Sequence, residues 1–254
     1  MIRFPQKFLW GAATAAYQVE GNNVHSDWWA WEKASGKEPS GQACRHYELY
    51  EQDFDLAKDL HHNAHRFSIE WARIEPEEGR FSDEALKHYE KVLLSLRARG
   101  IEPVVTLHHF THPEWLARSG GWEIRKTEDL FLRYAAFVVR ALSRYVRYWI
   151  TINEPTIYVS HAYLFGVWPP QGQSLWRMRK VESHMLSAHL KTYRMIHQVY
   201  QELSLSKPRV SISQHVMALV PCSRSLKNRF AAYLRNKIFN ESYLDRLARR
   251  KAMD

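Results

Sequence analysis

The sequence has few cysteines and no long apolar run. Its two cysteines, Cys44 and Cys222, are too few for a disulfide framework and fit a reducing compartment. No apolar run is long enough to span a membrane, and the first residues lack the apolar core of a signal peptide. We therefore expect a cytoplasmic protein with no membrane partner.

Glycine-rich phosphate loops are missing as well, because none follows a predicted strand, and this argues against a nucleotide site. A metal centre has only one candidate in the sequence, the histidines His108, His109 and His112. Histidines at a strand end need not share a face, and no acid lies at helical ligand spacing from them. We expect no metal and no cofactor.

Positive charge is concentrated near the C-terminus. The net charge is +9, and residues 224–251 contribute +7 of it through nine basic and two acidic side chains. Such a segment can bind nucleic acid or an anionic membrane, but it is more often the solvated face of a helix. We predict a basic amphipathic helical segment over 224–254, with nucleic-acid binding as the less favoured alternative.

Apolar residues make up 45% of the chain, enough for a sizeable core. Short β-branched runs alternate with segments of helical spacing, which is typical of a parallel sheet with helical crossovers. We predict a single α/β domain over 1–254, although strand order alone leaves a doubly wound sheet and a barrel both open. The predicted strands are 8–16, 64–70, 103–109, 148–155 and 209–215. The predicted helices are 46–60, 82–100, 127–145, 178–204 and 226–248.

The stretch Tyr148–Pro155 ends a predicted buried strand with an amide and a carboxyl side by side. Pro155 has no N–H to donate to a sheet, so the strand must stop near Asn153 and Glu154. Chemistry in parallel α/β folds is done at this carboxyl end, where a desolvated carboxyl can act as a general acid. The alternative is a loop glutamate that caps the next helix.

Polar side chains follow the other strands too. Gln18 lies beyond the first, Arg66 and Glu70 lie in the second, and His109 ends the third. Since the carboxyl ends of parallel strands meet at one edge, clusters after four consecutive strands predict a shared pocket with Asn153 and Glu154.

These residues lie within motifs that resemble glycoside hydrolase family 1, the retaining β-glycosidases on a (β/α)8 TIM barrel. The matching segments occur in the family's order and cover most of residues 4–216. They are Phe8–Gly21, Arg66–Pro76, Thr106–Phe110, Pro113–Leu116, Gly120–Trp122 and Thr151–Pro155.

The resemblance implies a role for each matching residue in hydrolysing terminal β-D-glycosides such as β-glucosides or β-galactosides. Glu154 matches the acid/base carboxyl, and Asn153 matches the amide that bonds the sugar's 2-hydroxyl. Arg66 matches the guanidinium that orients the nucleophilic carboxylate. Gln18 and His109 match the residues that bond the outer hydroxyls.

Two features depart from the family pattern. Phe110 stands where the family usually has tryptophan, so a stacking face remains and an indole N–H is lost. The family's nucleophile lies in a Thr-Glu-Asn-Gly-like motif after the seventh strand, and no such motif occurs here. Glu70 is a conceivable substitute, the alternative being a structural partner for Arg66 or Arg73.

The chain therefore holds about five of eight βα units, an incomplete barrel whose two sheet edges would lie open. A complementary C-terminal half or self-association would cover these edges. The alternative function is a non-catalytic sugar-binding or structural remnant of a glycosidase.

Overall fold

The computed structural model describes residues 3–251. The predicted domain limits of 1–254 and the predicted helical segment 224–254 include residues 1–2 or 252–254, which lie outside the described residues. Within the described range, the chain forms five strands and a series of helices that alternate along the sequence. The α/β class is therefore confirmed.

The five strands form one parallel sheet in the order β1-β2-β3-β4-β5. They are β1 (Gly11–Ala13), β2 (Ala64–Ser68), β3 (Glu102–His108), β4 (Tyr148–Asn153) and β5 (Arg209–Ser213). Strand order never reverses, whereas a doubly wound sheet reverses at a switch point. The described strands thus follow the sequential order of a barrel, which is one of the two folds that the sequence pattern left open.

The helices are α1 (Ala16–Val19), α2 (Asp27–Ser35), α3 (His46–Asp59), α4 (Trp71–Ile74), α5 (Asp83–Ala98), α6 (Glu114–Arg118), α7 (Thr127–Leu142), α8 (Pro155–Val159), α9 (Leu175–Glu202), α10 (Leu226–Asn236) and α11 (Ser242–Lys251). A 3-10 turn spans Gly121–Glu123, and π-type turns span Ser160–Leu164 and Lys237–Glu241. The predicted helices at 46–60, 82–100, 127–145 and 178–204 are confirmed as α3, α5, α7 and α9. The helix predicted at 226–248 is interrupted by the second π-type turn.

The core lies between the sheet and the crossover helices. Val105 and Leu107 of β3 pack with Phe131 of α7, and all three are fully buried. Burying an aliphatic or phenyl side chain of this kind stabilises the fold by about 1.5–3 kcal/mol. This packing fixes the central strands, whose ends carry the predicted site.

Helix boundaries follow from local chemistry. Ser82 Oγ accepts a hydrogen bond from the Ala85 N–H at 3.1 Å, so the predicted cap of α5 is confirmed. Gly100, at φ 69°, follows α5 in the left-handed conformation that favours glycine. The predicted cap at Thr127 is wrong, because Thr127 is the first residue of α7 and its hydroxyl donates to the Gly121 carbonyl at 2.5 Å.

The first strand differs from the prediction of a buried strand over 8–16. Only Gly11–Ala13 are extended and paired, and all three are exposed, while Ala15 and Ala16 are buried at the start of α1. A Cβ at Gly11 would lie 1.8 Å from the Ala64 carbonyl oxygen, so only glycine permits this pairing. The small side chains there allow two strand backbones to approach closely. A run of small residues in the sequence looks the same whether the strand is buried or only closely paired.

The C-terminal helices leave apolar side chains in solvent. Leu226, Phe230 and Tyr233 recur at helical spacing along α10, and each is more than half exposed. Tyr243 of α11 is buried, so this segment is attached to the body on one side. None of the helices within residues 3–251 combines the length and the apolar character needed to cross a bilayer.

Candidate active site

A chain of side-chain hydrogen bonds joins the carboxyl ends of β2, β3 and β4. Arg66 Nε donates to Thr106 Oγ1 at 3.0 Å, and Arg66 Nη2 donates to Asn153 Oδ1 at 2.5 Å. Asn153 Nδ2 lies 3.3 Å from His109 Nε2. Three of the predicted site residues, from three different strand ends, are therefore in contact.

The Arg66 guanidinium fixes the orientation of the Asn153 amide and the tautomer of the His109 imidazole. Because Arg66 can only donate, the oxygen of Asn153 must face it and the amide N–H groups must face His109. His109 Nε2 then accepts, which places the imidazole proton on Nδ1. Nδ1 is buried and has no hydrogen-bond partner among the described residues. One charged side chain thus sets an amide and an imidazole tautomer in turn.

Glu154 follows Asn153 and leaves the strand in an unusual conformation. Its φ and ψ of 41° and 58° lie in the left-handed region, which costs a non-glycine residue about 1–3 kcal/mol. Its N–H donates to the Ser213 carbonyl at 2.7 Å, and its side chain is 29% exposed. The carboxyl makes no capping hydrogen bond to α8, so the reading of Glu154 as a helix cap is wrong.

Burial and nearby charge shift the pKa of Arg66 in opposite directions and the pKa of His109 in the same direction. Burial lowers the pKa of Arg66, and the nearby Glu154 carboxylate acts in the opposite direction. An arginine stays protonated in proteins even so. Burial, and then the charge of Arg66, lower the pKa of His109 to about 3, so its imidazole is neutral near pH 7. The site therefore holds one fixed cation beside Glu154.

Phe110 also has a left-handed backbone, with φ 70°. Its ring lies 4.9 Å from that of Trp168, whose ring lies 5.2 Å from that of Trp28, measured between centroids. Offset and tilted aromatic pairs of this kind form apolar faces suited to flat ligands. An aromatic wall of Phe110, Trp168 and Trp28 thus continues from His109.

Gln18 and Glu70 are not joined to this group. Gln18 is exposed on α1, and among the described residues no hydrogen bond or ion pair links it to Arg66, His109 or Asn153. Glu70 is 2% exposed, and burial raises its pKa to about 7. The strand-end argument predicted one shared pocket, and the structure brings together only part of that set.

Glu70 has partners other than the arginines predicted for it. Its carboxyl accepts from Thr111 Oγ1 at 2.9 Å and from the Ala72 N–H at 3.3 Å. Arg73 instead pairs with Glu20, with Nε 2.7 Å from Oε2. The prediction of a direct Glu70 partnership with Arg66 or Arg73 is therefore wrong, since Glu70 caps α4.

The neighbouring histidines are used structurally. His108 Nε2 accepts from Trp122 Nε1 at 3.1 Å, and the His112 N–H donates to Asp27 Oδ1 at 3.0 Å. Over residues 3–251, no three His, Cys, Asp or Glu side chains are grouped so as to hold a metal ion.

Sequence reasoning missed three residues of the site. Thr106 accepts from Arg66, Trp168 extends the aromatic wall, and His215 lies beyond β5 with Nδ1 3.4 Å from Glu154 Oε1. The strand-end rule that found Asn153 applies equally to His215, two residues past the end of β5. Thr106 and Trp168 carry no comparable signal, because threonine is common in strands and tryptophan in cores.

Comparisons with known proteins find relatives over most of the chain. Residues 1–251 match the family described as Glycosyl hydrolase family 1. Beta-glucosidase A of Acetivibrio thermocellus is 31% identical over 96% of this chain and 56% of its own length. A 6-phospho-beta-galactosidase of Lacticaseibacillus casei is 34% identical over 96% of this chain and 52% of its own.

Solved structures give the same result. A beta-glycosidase from Pyrococcus horikoshii superposes with a TM-score of 0.88 at 39% identity, over 95% of this chain and 55% of that one. A beta-glucosidase from Thermotoga maritima in complex with deoxynojirimycin gives 0.87 at 29% identity, over 93% and 55%. The chain thus spans about half the length of the relatives that it matches.

Proposed function

We propose, because the chain belongs to glycosyl hydrolase family 1, that it supplies the acid/base side of a site that hydrolyses terminal β-D-glycosides. The observation that carries this proposal is the hydrogen-bonded series Arg66, Asn153 and His109, with Glu154 next to Asn153 at the strand end. Its substrate is a β-glucoside, a β-galactoside or an oligosaccharide that ends in one.

Glu154 acts as the general acid and then as the general base. Its protonated carboxyl gives a proton to the glycosidic oxygen as that oxygen leaves the anomeric carbon and the carboxylate of the nucleophile bonds to the same carbon. It later takes a proton from the water that attacks the anomeric carbon and displaces the carboxylate of the nucleophile. Partial exposure of the side chain supports this role, since a leaving group and water must both reach it.

The neighbours of Glu154 bind and orient the sugar. Asn153 offers an amide N–H to the 2-hydroxyl, a contact that strengthens as positive charge develops on the ring. His109 and Gln18 bind the outer hydroxyls, and Phe110 offers an apolar face to the ring. Gln18 lies on an exposed helix, so it would act at the rim of the site.

A retaining mechanism needs a second carboxyl, ionised and about 5 Å from the acid. The family's nucleophile motif is absent from this sequence, and Glu70 is a poor substitute because it is buried and caps α4. We propose that Arg66 orients a nucleophile from a complementary C-terminal half, which would complete an incomplete TIM-type barrel. A second copy of the chain lacks the same motif and would only cover the open sheet edges. The open β1 and β5 edges support this arrangement.

The test is turnover of an aryl β-glucoside and an aryl β-galactoside by the chain, alone and with the C-terminal half of a family 1 relative added. Turnover should fall about 10²–10⁴-fold in Glu154→Gln, the usual contribution of a general acid. Glu77→Gln, at an exposed glutamate whose only ion pair within residues 3–251 is with Arg80, should retain full turnover.

Calorimetry with a glyconolactam inhibitor distinguishes the alternatives. Binding that is lost in Asn153→Ala, without turnover under any condition, would indicate a sugar-binding remnant. If neither turnover nor inhibitor binding is detected with the added half, the proposal is wrong.

A further inference from the structure

A histidine that the sequence motifs do not include contacts the proposed acid. His215 Nδ1 lies 3.4 Å from Glu154 Oε1, and the two side chains are 38% and 29% exposed. Burial lowers the pKa of Arg66, and the charge of nearby Glu154 raises it. His215 faces one carboxyl oxygen, so Oε2 is the oxygen left to meet a substrate.

The backbone that carries His215 is tied to the strand that carries Glu154. The Glu154 N–H donates to the Ser213 carbonyl at 2.7 Å, immediately beyond the last paired residues of β4 and β5. Gln214 Nε2 donates to Thr156 Oγ1 at 2.7 Å. Positions 213 and 214 are thus held to positions 154 and 156, and His215 has little freedom to move away.

The C-terminal helical segment holds the same loop from the other side. Asn240 is 5% exposed and clamps Met217, accepting from its N–H at 3.1 Å and donating to its carbonyl at 2.7 Å. Asn236 Oδ1 accepts from the same amide at 2.7 Å. The Phe239 ring lies edge-on to the His215 ring, with centroids 6.0 Å apart. The buried Asn240 amide thus has hydrogen-bond partners at both its oxygen and its nitrogen.

We infer that His215 is a positioning residue for the Glu154 carboxyl, and that residues 236–240 brace the loop that presents it. The segment predicted only as a solvated basic helix thus has a second task, which is to fix a side chain at the site. The catalytic consequence rests on the proposed function, whereas the contact and its brace do not.

The contact is tested first without reference to turnover. Nitrogen-15 spectra of the full chain near neutral pH should show the His215 ring signals displaced in Glu154→Gln, since a facing carboxylate becomes a neutral amide. Asn240→Ala should displace them too, because the brace is lost. Asn228→Ala is the matched control, as Asn228 lies in the same segment and its side chain bonds only Ser223 among the described residues.

The ring signals of His161, which contacts the Ile157 carbonyl of its own helix, should stay constant throughout. Because Asn240→Ala could unfold the segment, Phe239→Leu provides a second, milder loss of the brace and should displace the His215 signals without loss of helical circular dichroism. Unchanged His215 signals in Glu154→Gln would overturn the inference even if the chain hydrolyses glycosides.

The positioning role is then tested by turnover of the completed enzyme. His215→Leu should lower kcat/KM roughly tenfold for poor leaving groups, a part of the general-acid contribution, with little change for good leaving groups that need no proton. His215→Asn keeps a donor near the position of Nδ1 and should recover most of the loss. Equal losses for both leaving groups would indicate a merely structural residue, and displaced signals without turnover would overturn the proposed function alone.

Discussion

The part of the molecule around β2, β3 and β4 differs from residues 209–251 in how its apolar side chains are covered. Phe131 on α7 is fully buried against the sheet, whereas Phe230 on α10 is 63% exposed. Both helices are amphipathic, with apolar residues at helical spacing. An amphipathic pattern therefore identifies the face of a helix but not what covers it.

The two parts pair along β4 and β5 and meet again at the candidate site. Glu154 ends a well-covered strand, and His215, Phe239 and Asn240 belong to the exposed part. The same substitution made in both parts measures how far they differ in stability. Three such pairs follow in order of expected effect, and a pH test of one buried carboxyl comes after them.

The largest difference is expected for leucine. Leu93→Ala on α5 removes a fully buried side chain and should lower the free energy of unfolding by about 2–5 kcal/mol. Leu226→Ala on α10, at an 80% exposed side chain, should change it by less than about 0.5 kcal/mol. Urea titration followed by circular dichroism measures both. Equal losses would break the comparison and show that the α10 face is covered in solution.

A tyrosine pair isolates one hydroxyl. Tyr134 OH lies 3.2 Å from the Ile69 carbonyl and 3.1 Å from that of Leu107, and it is completely buried. Tyr134→Phe leaves these buried acceptors short of a donor and should cost about 1–3 kcal/mol in urea titration. Tyr233→Phe removes an exposed hydroxyl and should be neutral. A neutral Tyr134→Phe would refute this account of how α7 is held to the sheet.

Loss of either of two serine caps should destabilise the protein, but the two losses should differ in how much of the molecule they affect and in how large they are. Ser82 caps α5 and Ser225 caps α10, where its Oγ accepts from the Asn228 N–H at 3.3 Å. Ser82→Ala should lower global stability by about 1 kcal/mol. Ser225→Ala should instead speed hydrogen exchange of the Asn228 N–H and leave the global transition unchanged. A shifted global transition in Ser225→Ala would show that α10 unfolds together with the sheet.

Asp27 gives an effect of a different kind, a change in the slope of stability with pH. Asp27 Oδ2 lies 3.4 Å from His112 Nδ1, but burial raises the pKa of Asp27 to about 8 and lowers that of His112 to about 4. Both groups are thus neutral between these values, and the contact is not an ion pair.

A carboxyl whose folded pKa exceeds its unfolded value binds more protons when folded. The Asp27 contribution to stability should therefore fall as pH rises from about 4 to about 8, and this contribution should vanish in Asp27→Asn. Buried histidines whose pKa is lowered, such as His112, contribute a slope of the opposite sign below about pH 6.5, so the difference between the two proteins is the quantity to compare. Buried Glu20 and Glu70, whose pKa values are raised to about 7, add slope of the same sign in both proteins. Parallel stability curves for the two proteins would contradict the assignment.

The sequence was most informative where one physical rule acts alone. Pro155 ended β4 as expected, and Ser82 and Gly100 bounded α5, because each acts through its own backbone or cap. The prediction from the sequence was wrong for β1, because its small residues permit close approach of the neighbouring backbone and do not fill a core. The predicted cap at Thr127 was also wrong, because its hydroxyl donates a hydrogen bond to the Gly121 carbonyl instead of accepting one from its own helix.

The site was predictable as a set of strand ends but not as a set of contacts. Arg66, His109 and Asn153 meet because register places their strand ends side by side. Glu70 turns away into the α4 cap, which depends on a local turn that a period-two pattern does not encode. His215 obeys the same strand-end rule, but its brace by residues 236–240 is a long-range contact that the local sequence does not show.

The left-handed backbone at Glu154 costs the fold stability at the residue that is proposed to transfer the proton. Asparagine and glycine adopt that conformation with less strain than glutamate, so either would relieve the strand end of roughly 1 kcal/mol or more. A lineage kept only for its fold would drift toward such residues. Ranking natural variants of this chain by what stands at position 154 would therefore separate those still under selection for proton transfer from those maintained as scaffolds.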